Sequence, residues 1–338
     1  MQNILKAAIV GLGNIAPMHI KSLNAINIKI EAVCDKNLDK VNQIATELNC
    51  KGYSSYEEML QNSGFDVLHI CLPHYLHAPV AIEALNKGFN VLTEKPLATS
   101  IADAEEMISV ATKNKKALGV IFQNRYSPGV QLIKETLSSG ELGAIKGGWL
   151  RVNWYRKEDY YTQSDWRGKW ETEGGGVVIN QAIHSFDLLN YFLGNPASVH
   201  ASIANRAHPS IEVEDISEGV IVYNSTPISF FVNTFHPYDE PATIELVCEY
   251  GKASLIGENA TINYNEKLKK TAGADIEAQR LFGMKSYWGV SHIKQISAFY
   301  EALHENKLID VDGIQGVRTQ ILINSIYKSA KEGCLVKL

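Results

Sequence analysis

Short β-rich runs alternating with amphipathic helical stretches fill the first third of the chain, and no other feature constrains the fold as much. The runs lie at 4–10, 28–34, 66–72, 89–93 and 117–122, with helical patterns at 15–26, 37–48, 55–61, 75–87 and 100–115. Ser55 with Glu58, and Ser100 with Asp103, have the capping-box spacing that opens a helix. Strand–helix–strand alternation needs crossover connections, so these strands are expected in a mostly parallel, doubly wound α/β sheet.

Beyond residue 122 the pattern changes. A helix is expected at 128–139, a long strand at 144–155, an irregular aromatic segment, then a helix within 173–196. From 197 to 264 extended runs follow one another without helices, which implies a largely antiparallel sheet. A surface loop is expected at 265–288 and closing helices at 290–305 and 313–331. The expected division is a domain at 1–122 and an α+β domain at 123–338. At 338 residues the chain is long enough for two cores.

Charge and cysteine usage exclude several classes. A net charge of −5 without a basic run gives no reason to expect nucleic acid or an anionic membrane. The opening MQNILKAAIV reads as neither a membrane span nor a signal peptide. Five scattered cysteines without C-x-x-C point to reduced thiols, hence a cytoplasmic location, and no metal-ligand spacing is present.

AAIVGLGNIAPMH places Gly11, Gly13, Asn14, Ile15 and Ala16 between a strand and a helix, as G-x-G-x-x-A. Gly11 permits the tight turn and Gly13 lets a pyrophosphate approach, while the helix N-terminus offers N–H groups and the positive end of its dipole. Asp35 closes the second strand at the expected distance of about twenty residues. A carboxylate there accepts hydrogen bonds from both ribose hydroxyls and repels a 2′-phosphate, so NAD is expected over NADP. Downstream, FNVLTEKPLATS sets Glu94, Lys95 and Pro96 at the carboxyl edge of the sheet, where ligands of such sheets bind.

Together, GLGNIA, Asp35, LPHYLH with Pro73 and His77, EKP at 94–96, NRYSP at 124–128 and GGG…H…D at 174–187 resemble the glucose–fructose oxidoreductase and inositol dehydrogenase (Gfo/Idh/MocA) family over nearly the whole chain. The resemblance implies a Rossmann domain followed by an open-faced sheet that forms a homodimer or homotetramer interface. It implies Lys95 between nicotinamide and substrate, His184 at the reacting carbon, and Leu72, Pro73, His77 and Glu94 beside the cofactor. One position departs from it: many members carry aspartate four residues before the histidine, where this chain has Asn180.

The residues themselves add detail. At helical spacing Asn180, His184, Asp187 and Tyr191 share one stripe, with Asp187 placed to orient the His184 ring. Gly174, Gly175 and Gly176 ahead of them are expected to let the backbone pass close to a ligand. Asn124, Arg125 and Tyr126 follow the last Rossmann strand, and Trp166 and Arg167 sit in the irregular segment. All five are candidate substrate contacts, aromatics for sugar faces and arginines for carboxylate or phosphate. The expected activity is NAD-dependent hydride transfer at a secondary alcohol of a sugar, cyclitol or nucleotide-sugar acid, the last suggested by WRG-x-W and resembling C3 oxidation of UDP-N-acetylglucosaminuronate. His184, Lys95 and Asp187 are the catalytic candidates. The alternatives are an NAD-dependent glycoside hydrolase and a non-catalytic NAD-binding regulator.

Overall fold

The computed structural model describes residues 5–264, 268–273 and 291–338. They fall into two compact units, Met1–Ile121 with Ser291–Val317, and Phe122–Val290 with Arg318–Leu338.

In the first unit β1 (Lys6–Val10), β2 (Lys29–Cys34), β3 (Lys51–Tyr53), β4 (Val67–Ile70), β5 (Asn90–Thr93) and β6 (Leu118–Val120) form one sheet in the order β3-β2-β1-β4-β5-β6. Every pairing is parallel. The central strands are buried on both faces, which is why they read as unbroken apolar runs. Strand β3 was not expected; its KGY is exposed or half-buried at the sheet edge and carries no apolar signature. The expected caps are present: Ser55 accepts from the Glu58 N–H at 3.2 Å and Ser100 from that of Asp103 at 3.1 Å. Strand order reverses between β1 and β4, the point at which such sheets bind ligands beyond their carboxyl ends.

A single cut at 122 does not describe the first unit, because the helix His292–Glu305 belongs to it. Ile296, Phe299 and Tyr300 join the core made by Ile9, Val33 and Leu92. Burying such aromatic side chains is worth roughly 1.5–3 kcal/mol each. A Cβ on Gly119 would lie 2.8 Å from the Phe299 ring, and the Gln295 amide donates to the Val120 carbonyl at 2.7 Å. Apolar periodicity revealed this helix but not which core receives its apolar face.

The second unit is built on β7 (Ile145–Asn153), β8 (Ser198–Ala204), β9 (Ile216–Tyr223), β10 (Thr226–Asn233), β11 (Thr243–Cys248), β12 (Gly251–Ile256), β13 (Asn259–Tyr264), β14 (Leu268–Ala272) and β15 (Val336–Lys337). Their order is β14-β13-β12-β11-β7-β10-β9-β8-β15, antiparallel except where β10 pairs with β7. Leu150, Val152, Phe230, Val232 and Leu246 are buried on one face, and Trp149, Val220, Phe231 and Val247 are exposed on the other. The helix Ile183–Leu193 covers the buried face, with Phe186 edge-on to Phe230 at 5.3 Å and Asn190 accepting the Tyr223 hydroxyl at 2.8 Å. Part of the expected loop at 265–288 is strand β14, whose lysines mark an edge: Lys270 pairs with Glu141 at 2.7 Å. Residues 265–267 and 274–288 of that expectation lie outside the described residues. No helix among the described residues is long and apolar enough to cross a membrane.

Candidate active site

The turn after β1 is built for a phosphate group. Gly11 has φ +89°, and a Cβ there would come within 2.7 Å of the Cys71 carbonyl carbon. At Gly13 an added Cβ meets nothing within 4 Å. Asn14 is exposed, Ile15 is half-buried, and the helix Ala16–Ala25 begins with no side-chain cap and no acidic residue in its first turn. No carboxylate neutralises this end, so the positive end of the helix dipole is left to face an anion. Asp35 is half-buried, and each of its oxygens holds one backbone donor: Leu12 N at 2.7 Å and Asn37 N at 2.8 Å. Each oxygen keeps a further lone pair for a hydroxyl. These residues fit the adenosine and pyrophosphate of NAD, and the carboxylate disfavours an added 2′-phosphate.

The carboxyl edge continues through Leu72 and Pro73, both half-buried, to the Glu94–Lys95–Pro96 step. His77 differs from its expected role beside the cofactor. It is fully buried, with Nδ1 2.7 Å from the Pro96 carbonyl and Nε2 2.8 Å from the Leu72 carbonyl. Both ring nitrogens face protein acceptors, so His77 ties two edge loops together instead of touching a ligand. Burial holds its pKa down even though both carbonyls favour the imidazolium. Glu94 is buried; its Oε1 faces His19 at 3.0 Å and His292 at 3.5 Å, and its Oε2 accepts the Lys95 N–H at 3.3 Å. Burial alone would raise its pKa, but the two histidines hold it well below the usual carboxylate range. Lys95 itself is half-buried.

In the second unit the helix starts later than expected. Residues 177–181 form turns and the helix runs Ile183–Leu193, so His184 is its second residue and Asn180 precedes it. The shared stripe is therefore not a helix stripe. Asp187 does not orient His184 either. Its carboxylate takes Arg125 in a fork, Nε–Oδ2 at 2.7 Å and Nη2–Oδ1 at 2.6 Å, and accepts the Thr319 hydroxyl at 2.9 Å. Arg125 is 4% exposed and stacks 5.0 Å from the Tyr191 ring, so this guanidinium braces the turn Gln123–Tyr126 against the helix and is not a free substrate contact. Asn124 and Tyr126 flank it, half-buried. His184, half-buried, meets the Phe122 ring edge-on at 5.9 Å.

The three glycines answer to protein neighbours. Gly174 caps the short helix Trp170–Glu173 at φ +83°. A Cβ on Gly175 would overlap the Tyr327 phenol, and one on Gly176 the Glu214 backbone. The Glu214 side chain then grips the turn, accepting Gly176 N at 2.9 Å, Val178 N at 3.0 Å and the Tyr327 hydroxyl at 3.0 Å. Burial raises its pKa to about 7 against those three donors.

Two residues, Tyr160 and Glu173 (the latter not singled out by sequence), hold Asn180. Its amide donates to Glu173 Oε1 at 2.5 Å and to the Tyr160 hydroxyl at 3.1 Å, while Gly168 N donates to Glu173 Oε2 at 2.5 Å. An aspartate at 180 would face the buried Glu173 carboxylate, which accounts for asparagine at this position. Tyr160 also stacks on Arg167, whose Cζ lies 4.4 Å from that ring and 4.7 Å from the ring of Trp166. For Glu173 and Glu214 the advance signal was the acidic residue in TEGGG and in VEDI, each set among small or apolar neighbours. Among the described residues no group of three or more histidine, cysteine or carboxylate side chains is arranged to hold a metal.

A family model described as an oxidoreductase family with an NAD-binding Rossmann fold matches residues 5–122, and the model of that family's C-terminal domain matches 130–254. D-glucoside 3-dehydrogenase of Escherichia coli is 26% identical, covering 99% of this chain and 97% of its own. Inositol 2-dehydrogenase of Salmonella typhimurium is 33% identical over 70% of this chain and 69% of its own. The WlbA dehydrogenase of Bordetella pertussis, solved with NADH and UDP-GlcNAcA, superimposes with a TM-score of 0.88 at 27% identity, covering 99% of both chains. With both domains matched in order, and the glycine turn, Asp35 and the Glu-Lys-Pro step in place, the chain belongs to the Gfo/Idh/MocA family of oxidoreductases.

Proposed function

We propose that the protein oxidises, with NAD, a ring hydroxyl of an anionic sugar derivative, a nucleotide-sugar acid of the UDP-N-acetylglucosaminuronate kind, at C3. Arg167 carries this reading. Arg125 is neutralised by Asp187 and Arg156 by Asp239, whereas Arg167 has no carboxylate or hydrogen-bond partner among the described residues, and its Nε is buried. Two aromatic rings fix the guanidinium plane. A desolvated, pre-oriented guanidinium favours a carboxylate or phosphate of the ligand. The ligand of the WlbA relative, UDP-GlcNAcA, is of this class.

NAD supplies the hydride acceptor. His184 is proposed to take the hydroxyl proton, a role suited to an imidazole near neutral pH. Lys95 is proposed to stabilise the developing charge on that oxygen. With Asp187 committed to Arg125, the proton-handling role falls on these two. The exposed face of the nine-stranded sheet is proposed as the contact with a second copy of the chain. It carries apolar Trp149 and Phe231 beside Arg151, Glu218 and Glu245, a mixed-sign surface able to pair with itself.

The test is NADH formation from cyclitols, free sugars, glucosides and UDP-sugar acids, with wild type and Arg167→Met. The acidic nucleotide sugar should give the highest kcat/KM. The variant should lose about 10- to 100-fold on it, the worth of a charge-assisted bond, and little on neutral substrates. A neutral glucoside as best substrate, or an equal loss on both kinds, would sink the reading.

A further inference from the structure

Behind the Glu94–Lys95 step lies a buried chain of polar groups to which the proposed chemistry gives no task. His19 projects from the helix Ala16–Ala25, His69 from β4, and Tyr300 and His292 from the helix His292–Glu305. His19 and His69 are fully buried, His292 is 1% exposed and Tyr300 2%. Glu94 Oε1 lies 3.0 Å from His19 Nε2, His19 Nδ1 lies 2.8 Å from His69 Nδ1, and His69 Nε2 lies 3.0 Å from the Tyr300 hydroxyl.

With neutral imidazoles only one proton arrangement satisfies this chain. A carboxylate only accepts, so His19 carries its proton on Nε2. Its Nδ1 is then bare and must receive a proton from His69 Nδ1. That leaves His69 Nε2 bare, and the Tyr300 hydroxyl donates to it. Every bond points toward Glu94, whose other oxygen holds the Lys95 N–H. Burial holds the pKa of His69 well below its usual value, which keeps it neutral. Bonds aligned in one direction polarise one another, so the far end of the chain influences the near end.

We propose that His19, His69 and Tyr300 are positioning residues that set the orientation of the Glu94 carboxylate and, through it, the backbone of Lys95. The returning helix His292–Glu305 is thereby part of the catalytic support and not only of the core. This inference rests on the proposed role of Lys95.

The experiment uses the full chain with 15N-labelled histidine, and His19→Gln, His19→Leu and Tyr300→Phe variants. Ring nitrogen shifts should report His19 with a proton on Nε2 and a bare Nδ1, and neutral His69 protonated at Nδ1, with the His69 Nε2 signal moving in Tyr300→Phe. This arm needs no substrate, so it stands even if the proposed substrate fails. Glutamine can donate to Glu94 and accept from His69, so His19→Gln should keep kcat within about threefold. His19→Leu should lose up to about 100-fold in kcat, as a small misplacement near the chemistry does, with NADH affinity by fluorescence titration nearly unchanged. Should His19→Leu fail to fold, Tyr300→Phe decides: a several-fold loss in kcat at unchanged KM supports the relay. Equal kcat in the Gln and Leu variants, a His69 proton on Nε2, or a Tyr300→Phe protein with unaltered kcat and nitrogen shifts would each overturn it.

Discussion

Asp187 and Arg125 bury opposite charges at 1% and 5% side-chain exposure, joined by two short N–H···O bonds. Such a pair adds little over an apolar replacement of both partners, yet removing one partner strands the other charge in a dry interior, at about 3–5 kcal/mol. Asp187→Asn should therefore lower the unfolding free energy, read from urea melts, by that much, while the acidic limb of the rate profile stays in place. A variant of normal stability with a shifted acidic limb would return Asp187 to the His184 ring. At this scale sequence spacing was a poor guide. It placed Asp187 within a turn of His184, but only the fold brings Arg125 to the same carboxylate. Asp35 was legible because its position depends on a single strand–helix–strand unit. Asn180 was legible as a departure, and its cause, the buried Glu173, was not.

At the scale of elements, the glycine turn before His184 is held by a single carboxyl group. Glu214 accepts three donors there and titrates at about 7, against an ordinary 4.5, because burial penalises its charged form. With the folded pKa raised, its contribution to stability is full below about 4.5 and is lost as pH rises through about 7. A shift of this size is worth roughly 3 kcal/mol. Between pH 4.5 and 8 the unfolding free energy of wild type should fall by about that much more than that of Glu214→Gln, read from urea melts at each pH. Parallel curves for the two proteins would show that the carboxyl does not titrate in this window. Most strands and helices were legible because their apolar periods and caps are local. The start of the helix at Ile183 was not, because turns pinned by Glu214 and Tyr327 displace it by several residues. Lysine-rich β14 was masked by the polarity that suits an edge strand.

The whole molecule is two units between which the chain passes more than once. The parallel order of the first sheet followed from the alternation of strands and helices. The return of His292–Glu305 did not, since its partners are nearly the length of the chain away. The outer face of the second sheet poses the remaining physical problem. Trp149 is 40% exposed and Phe231 38%, on strands whose alternate residues are buried on the opposite face. An apolar band of this kind on an extended sheet is costly in water. Arg151 lies opposite Phe231, with Glu218 beyond it, and Glu245 lies opposite Trp149, so a two-fold related copy can set apolar against apolar and positive against negative. Trp149→Lys tests this without harming the single chain, because lysine there faces Glu245 across the β7–β11 pair, a favourable cross-strand match. By light scattering, wild type should give an integral multiple of the single-chain mass, and the variant should shift toward the single-chain mass at micromolar concentration. Wild type at the mass of one chain, or a variant indistinguishable from it, would remove this face as the contact.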